Sequence, residues 1–220
     1  MAIETMGFRG EALASISYVA RVRLTSRVEP SNHAWSLYAE DGACEEITAS
    51  QYQIGTKIEV MDLFYNVPAR KRFMRKEATE WGYIDDLVKK IAMAHNHITI
   101  QLFKDSKLSR QYIGCSEWST QAERLKIILG STAVSQLRYF SNSMRGLSVQ
   151  GFLGLPTLTR SVSDQQFIIV NKRVIKDPML SHALKRAYQG LTYQGRQPVY
   201  VINLTVDFEN VDVNVHPTKD

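Results

Sequence analysis

Four groups of residues in this chain have the types and spacing to do chemistry. Gly7-Phe8-Arg9-Gly10-Glu11-Ala12-Leu13 brackets a tight turn with two glycines and then runs into a helical pattern. Such a turn tolerates unusual backbone angles and can aim amide N–H groups at a phosphate. A surface pair between Arg9 and Glu11 fits the same residues, so the turn alone leaves both readings open. In Asn214-Val215-His216-Pro217-Thr218-Lys219 a strand-like alternation stops at a proline. Lys219 follows on the loop, a compact point charge suited to a phosphate presented elsewhere. Gly55-Thr56-Lys57-Ile58 puts a hydroxyl at the entry to a strand, which is also ordinary sheet composition. Asn171-Lys172-Arg173, with Lys176 and the pair Lys185-Arg186, gathers cations that suit phosphate contact. No aromatic residues interleave with these cations, so base stacking is not expected from them.

The elements that must hold these groups are legible from periodicity. Residues 10–18 read as a short helix, and residues 19–27 alternate like a half-buried strand. Strands are predicted over 33–40 and 44–49, joined by the hairpin signal Asp41-Gly42, and over 56–64. Pro68 suits the first position of a helix whose cations Arg70, Lys71, Arg72, Arg75 and Lys76 read as solvated, answered by Glu77 and Glu80. Apolar residues recur at three- and four-residue steps from Thr79 to His95, which predicts an amphipathic helix. A hairpin follows over 98–104 and 107–113, and Ser119 or Thr120 is placed to cap a helix running to Leu129. Strands over 147–154, 166–170 and 198–206 and a helix opened by Asp177-Pro178 complete the second half. The polar stretch 114–120 is the predicted boundary, giving domains 1–118 and 119–220 and an α+β fold class.

Composition narrows the class. The chain has 220 residues, 44% hydrophobic and 22% charged, as in globular proteins. No apolar run approaches the ~18 residues of a membrane span, and the first residues lack the regions of a signal peptide. Cys44 and Cys115 are isolated, with no short metal-binding spacing, so no metal site is expected and a cytoplasmic address is. Up to Trp118 the charges cancel, and the whole excess of +5 falls from Ser119 onward. An excess confined to one half suits a face for a polyanion.

The two terminal motifs together closely resemble the nucleotide-lid and distal-lysine motifs of the MutL family of DNA mismatch repair proteins, within the gyrase B, Hsp90 and histidine kinase ATPase superfamily. The stretch Asp62-Leu63-Phe64-Tyr65-Asn66-Val67-Pro68-Ala69-Arg70 also looks like a MutL segment. The resemblance implies the C-terminal part of the ATPase α/β sandwich followed by a ribosomal S5-like transducer domain. It implies that residues 7–13 wrap the triphosphate, that Thr56 supports the adenine side, and that Lys219 meets the γ-phosphate. It places Arg173 first among the DNA-contacting residues, with Lys172, Lys176, Lys185 and Arg186 beside it. ATP and Mg²⁺ are the implied cofactors of the complete protein, a weak ATPase. Implied partners are DNA, bound through its backbone without sequence preference, a second copy, and mismatch-recognition and downstream repair proteins. The implied address is the bacterial cytoplasm, at the nucleoid. The family's general base, metal-binding asparagine and Asp-x-Gly-x-Gly loop have no counterpart in this sequence. The segment is therefore expected to lack ATPase activity alone and to bind no nucleotide tightly. Two alternatives stand beside this: a non-enzymatic DNA-binding or dimerisation module, and a gyrase B-like region. His216-Pro217-Thr218-Lys219 argues against the latter, where the lysine follows Gln-Thr.

Overall fold

The computed structural model describes residues 10–144 and 146–207. The chain divides into two compact units, residues 10–81 and 82–207 of the described part. The predicted boundary stretch 114–120 thus lies inside the second unit.

The first unit opens with α1 (Ala12–Ser17), then strands β1 (Arg21–Arg27), β2 (Ala34–Glu40), β3 (Ala43–Cys44), β4 (Thr48–Ser50) and β5 (Gly55–Met61), then α2 (Pro68–Phe73). The strands form one antiparallel sheet in the order β3-β2-β1-β5, with β4 also on β2. The strand expected over 44–49 is split: β3 and β4 pair with successive parts of β2, and residues 45–47 between them leave the ladder. Asp41 and Gly42, at φ 51° and 75°, make the tight turn that their types favour. α3 (Glu77–Ala94) carries the chain into the second unit.

There β6 (Ile100–Lys104) and β7 (Lys107–Tyr112) pair as a hairpin. A 3-10 turn over Trp118–Thr120 precedes α4 (Ala122–Leu129) and α5 (Ser131–Ser135). Neither Ser119 nor Thr120 caps α4; Gln121 stands at that position and makes no side-chain cap bond. Then come β8 (Leu137–Met144), β9 (Leu147–Gly154), β10 (Thr159–Arg160), β11 (Gln166–Val170), β12 (Arg173–Ile175), α6 (Pro178–Ala187), β13 (Gln197–Pro198) and β14 (Tyr200–Val206). The main sheet runs β12-β11-β14-β9-β8, with β11 and β14 parallel and the other pairs antiparallel.

The central strands β11 and β14 are apolar on both faces, as strands covered on both sides must be. Phe167, Ile169, Val199 and Val201 join Met93, Ala94, Leu125, Leu129 and Ala133 in one core, fed by α3, α4 and α5. Ile168, Tyr200 and Ile202 point the other way, against Leu180 and Leu184 of α6. The unit is therefore a sheet between two helical layers. One polar residue ties the first layer together. Arg124, 2% exposed, donates to the carbonyls of Ala92 (2.6 Å), His95 (3.2 Å), Ile98 (2.6 Å), Tyr112 (3.2 Å) and Ile113 (2.7 Å). These include Ala92 O, in the last turn of α3, where carbonyls lack helical partners.

Candidate functional site

In the first unit residues 10–13, the described part of the segment read as a lid, run into α1, which leads onto the sheet. Gly7, Phe8 and Arg9 lie outside the described residues, as does Lys219 in the second unit. Gly10 sits at φ 64°, a conformation that favours glycine, and Glu11 follows in helical geometry as the N-cap of α1 without a side-chain cap bond. Ala12 and Leu13 are exposed in the first turn of α1. The other end of this helix is fastened. Gly42 N–H donates to Ser17 O at 3.2 Å, Asn66 Nδ2 to Tyr18 O at 2.9 Å, and Phe64 N–H to Val19 O at 2.6 Å. The Tyr65 hydroxyl and Asn66 Nδ2 also reach Asp41 Oδ1 in the β2–β3 turn. Arg21 bridges Glu40 and Asp62, each at 2.9 Å, with its guanidinium 4.5 Å from the Tyr65 ring centroid. The 62–66 stretch is thus a clamp that sets where α1 leaves the sheet. Arg21, then Tyr38 and Tyr65, hold the Glu40 carboxyl below the usual carboxylate range. Burial, then Asp41 and Glu40, push the Tyr65 phenol well up.

Thr56 lies near the start of β5, its hydroxyl 2.9 Å from that of Ser26 on β1. Register places Thr56, Ile58 and Val60 on the same face as Leu24, Ser26, Trp35 and Leu37. On this face Trp35, Ile58 and Val60 are about half exposed, at 53%, 48% and 47%. A hydroxyl pair at the edge of an apolar face suits a flat heterocycle, which needs apolar contact and a few fixed polar partners. The adenine role implied for Thr56 is chemically compatible with its surroundings. No group of three or more His, Cys, Asp or Glu side chains converges among the described residues, so no metal ligand is assigned.

The opposite face of this sheet carries a polar concavity of about 620 Å³ that the sequence reading did not single out. Arg23, Tyr38, Lys57 and Glu59 line it, with Lys57 and Glu59 paired at 2.7 Å. The signal was present in β1 and β5, whose polar residues fall on alternate positions.

In the second unit the basic residues do not form one cluster. Asn171 and Lys172, at φ 46° and 65°, are the two turn residues between β11 and β12. Asn171 Nδ2 donates to Val206 O at 2.9 Å, and Val206 N–H donates to Asn171 Oδ1 at 3.0 Å. This locks the turn to the far end of β14. Lys172 is exposed there, with Arg173 beside it and Lys176 just past β12. Lys185 and Arg186 stand in the last turn of α6. Two residues on, the buried Tyr188 hydroxyl donates to Gly154 O at 2.8 Å, beside the first residues of β14. Lys172 and Arg173 therefore stand near the end of β14 and the last turn of α6 near its start, about 20 Å apart along its seven residues, while Lys176, past Ile175 opposite Ile168, lies toward the α6 side. Burial, followed by the nearby His97 and Lys172, holds the His95 imidazole below its ordinary value.

Residues 125–220 match the family model described as DNA mismatch repair protein, C-terminal domain. The chain is 43% identical over 220 residues to the DNA mismatch repair protein MutL of Serratia proteamaculans (strain 568), covering 99% of this chain and 35% of that protein. It thus spans about a third of that relative's length. Among solved structures it resembles the N-terminal domain of a DNA repair protein, with a TM-score of 0.79 and 21% identity over 94% of this chain and 65% of that one. It also resembles the Aquifex aeolicus MutL ATPase domain complexed with ADP, with a TM-score of 0.67 and 24% identity over 89% of this chain and 71% of that one. The structural likenesses agree on an α+β ATPase-type fold. Along its whole length the chain is thus similar to the MutL family of DNA mismatch repair proteins.

Proposed function

We propose that this chain is the DNA-contacting and nucleotide-responsive segment of a mismatch repair switch. In the complete protein, ATP with Mg²⁺ drives two copies together, and the pair holds DNA while signalling to mismatch-recognition and downstream repair proteins. DNA contact is through phosphates and carries no sequence preference. Lys172, Arg173, Lys176, Lys185 and Arg186 supply the positive charge for it. The observation that carries this reading is the rigid presentation of Lys172. Its turn is fixed by two hydrogen bonds from Asn171 to β14, in the half of the chain that holds the whole charge excess. On the nucleotide side, Gly7 to Leu13 wrap phosphates, Thr56 supports the adenine, and Lys219 supplies charge to the γ-phosphate. Adenine contact at Thr56 gains support from the Ser26 hydroxyl and the exposed apolar side chains on that face. In the complete protein this work belongs in the bacterial cytoplasm, at the nucleoid. No helix among the described residues is long and apolar enough to cross a membrane.

The test is fluorescence anisotropy of a labelled duplex across a salt series. A log–log slope of at least about −3, unchanged when the duplex sequence is scrambled, is expected for several phosphate contacts at ~0.9 each. A slope near zero, or strong dependence on sequence, would sink the phosphate reading. Calorimetry with a non-hydrolysable ATP analogue and Mg²⁺ addresses the second half in the complete protein, comparing it with its Thr56→Ala and Lys219→Ala variants. Binding that weakens in both variants supports the assignment; binding indifferent to both removes it.

A further inference from the structure

The loop that follows α6 holds an aromatic ring outward at a fixed place. Leu191 N–H and Thr192 N–H both donate to Tyr188 O, at 3.0 and 3.3 Å, and Gly190 takes the left-handed turn at φ 81°. A second turn closes at once: Arg196 N–H donates to Tyr193 O at 3.1 Å, with Gly195 at φ 79° in the position where a type II turn requires glycine. Arg196 then fastens the loop's exit, its Nε and Nη2 donating to Thr159 Oγ1 and O at 3.2 and 3.1 Å. The entry is fastened by the buried Tyr188 hydroxyl on Gly154 O. Between these anchors Tyr193 is 85% exposed, the most exposed large hydrophobic side chain among the described residues, and Leu191 beside it is 61% exposed.

A ring that contributes this little to the core, on a loop tied at both ends, is organised in advance for contact. Its backbone is already fixed, and only two side-chain torsions remain to be ordered. The loop begins directly after the turn of α6 that carries Lys185 and Arg186. A flat aromatic face beside cations has a natural ligand in nucleic acid, the base for the ring and the phosphate for the charges. Within a duplex the base faces are already stacked on one another. We propose that Tyr193 is a stacking platform for an unpaired nucleobase, acting with the cations at the end of α6. This rests on the DNA-binding reading above and adds to it a ligand form, single-stranded DNA, at one of the two basic ends. The other end, with Lys172 on its hairpin, serves phosphate.

Stacking by an uncharged ring has a signature that charge contact lacks. It changes affinity without changing the number of counterions released, so the salt slope stays the same. The experiment compares the full chain with Tyr193→Ala and Tyr193→Trp on three probes about 20 nucleotides long: a thymidine single strand, the same strand with its bases removed, and a duplex. Tyr193→Ala is expected to weaken the base-bearing single strand about 5- to 100-fold. Its salt slope, the duplex and the abasic strand should be unaffected, and Tyr193→Trp should retain binding. Wild-type affinity of Tyr193→Ala for the thymidine strand would overturn the inference. So would an equal loss on all three probes, which would point to a disturbed surface or to a ring that serves a protein partner. If the unaltered chain binds none of the probes, the DNA-binding reading itself falls, an outcome distinct from a chain that binds duplex normally but ignores Tyr193.

Discussion

Arg124 carries a full positive charge at 2% exposure, and among the described residues it meets five main-chain carbonyls rather than a carboxylate. Burial lowers its pKa, but a guanidinium remains charged, and the carbonyls at the end of α3 supply the negative pole. Replacing it leaves several buried acceptors unpaired at once. Arg124→Met is therefore expected to cost on the order of 3–5 kcal/mol, read as a lowered urea midpoint. Arg124→Lys should recover only part of this, because one ammonium cannot reach acceptors spread over α3, β7 and the loops between them. Glu40 gives a prediction in pH. Arg21, Tyr38 and Tyr65 depress its folded pKa below the unfolded value of about 4.3. Its stabilisation is thus present above that value and is lost as pH falls through the lower, folded pKa. Glu40→Gln should melt below wild type at pH 7, and the gap should close below about pH 4. A gap independent of pH would mean that the amide disturbs packing rather than charge.

At the scale of elements, the β11–β12 hairpin turn shows what was and was not legible. The Asn-Lys-Arg turn was readable, since asparagine tolerates the left-handed region that the turn needs. Its two bonds to Val206 were not, because they join residues 35 apart in sequence. Asn171→Gly should keep the turn and lose the bonds, whereas Asn171→Ala loses both. We expect about 1–2 kcal/mol for the first and more for the second, with faster hydrogen exchange at the Val206 amide in each. Alternation exposed β1, β2, β5 and β9, a short apolar run exposed β11, and the three- and four-residue steps exposed α3. β8 was missed because Leu137–Met144 lacks alternation; at the sheet edge, most of its side chains stay in water. The cap of α4 was misplaced because a 3-10 turn consumed Ser119 and Thr120 before the helix began. The first unit's polar concavity escaped notice because attention fell on the apolar alternation of the same strands.

Across the whole molecule, the consequence hardest to read from sequence is the separation of the cations. Residues 172–186 look like one basic cluster along the chain, yet Lys172 stands near the end of β14 and the last turn of α6 near its start. Nearness in sequence failed as a guide because β12, antiparallel to β11, carries the chain back from the Lys172 turn before α6 begins. On the proposed DNA-binding reading, two patches about 20 Å apart would meet different phosphates on one DNA, and at physiological salt their charges barely feel each other. Lys172→Ala and Lys185→Ala should therefore each reduce the salt slope by about 0.9, and the double variant by about 1.8. Sites this far apart, sharing no partner, combine additively, so the two affinity losses should multiply. Duplex-binding isotherms for the four proteins across a salt series measure both quantities together. A double variant no weaker than the worse single would mean that the patches are alternative seats for one phosphate, and the extended contact along the sheet would have to be abandoned.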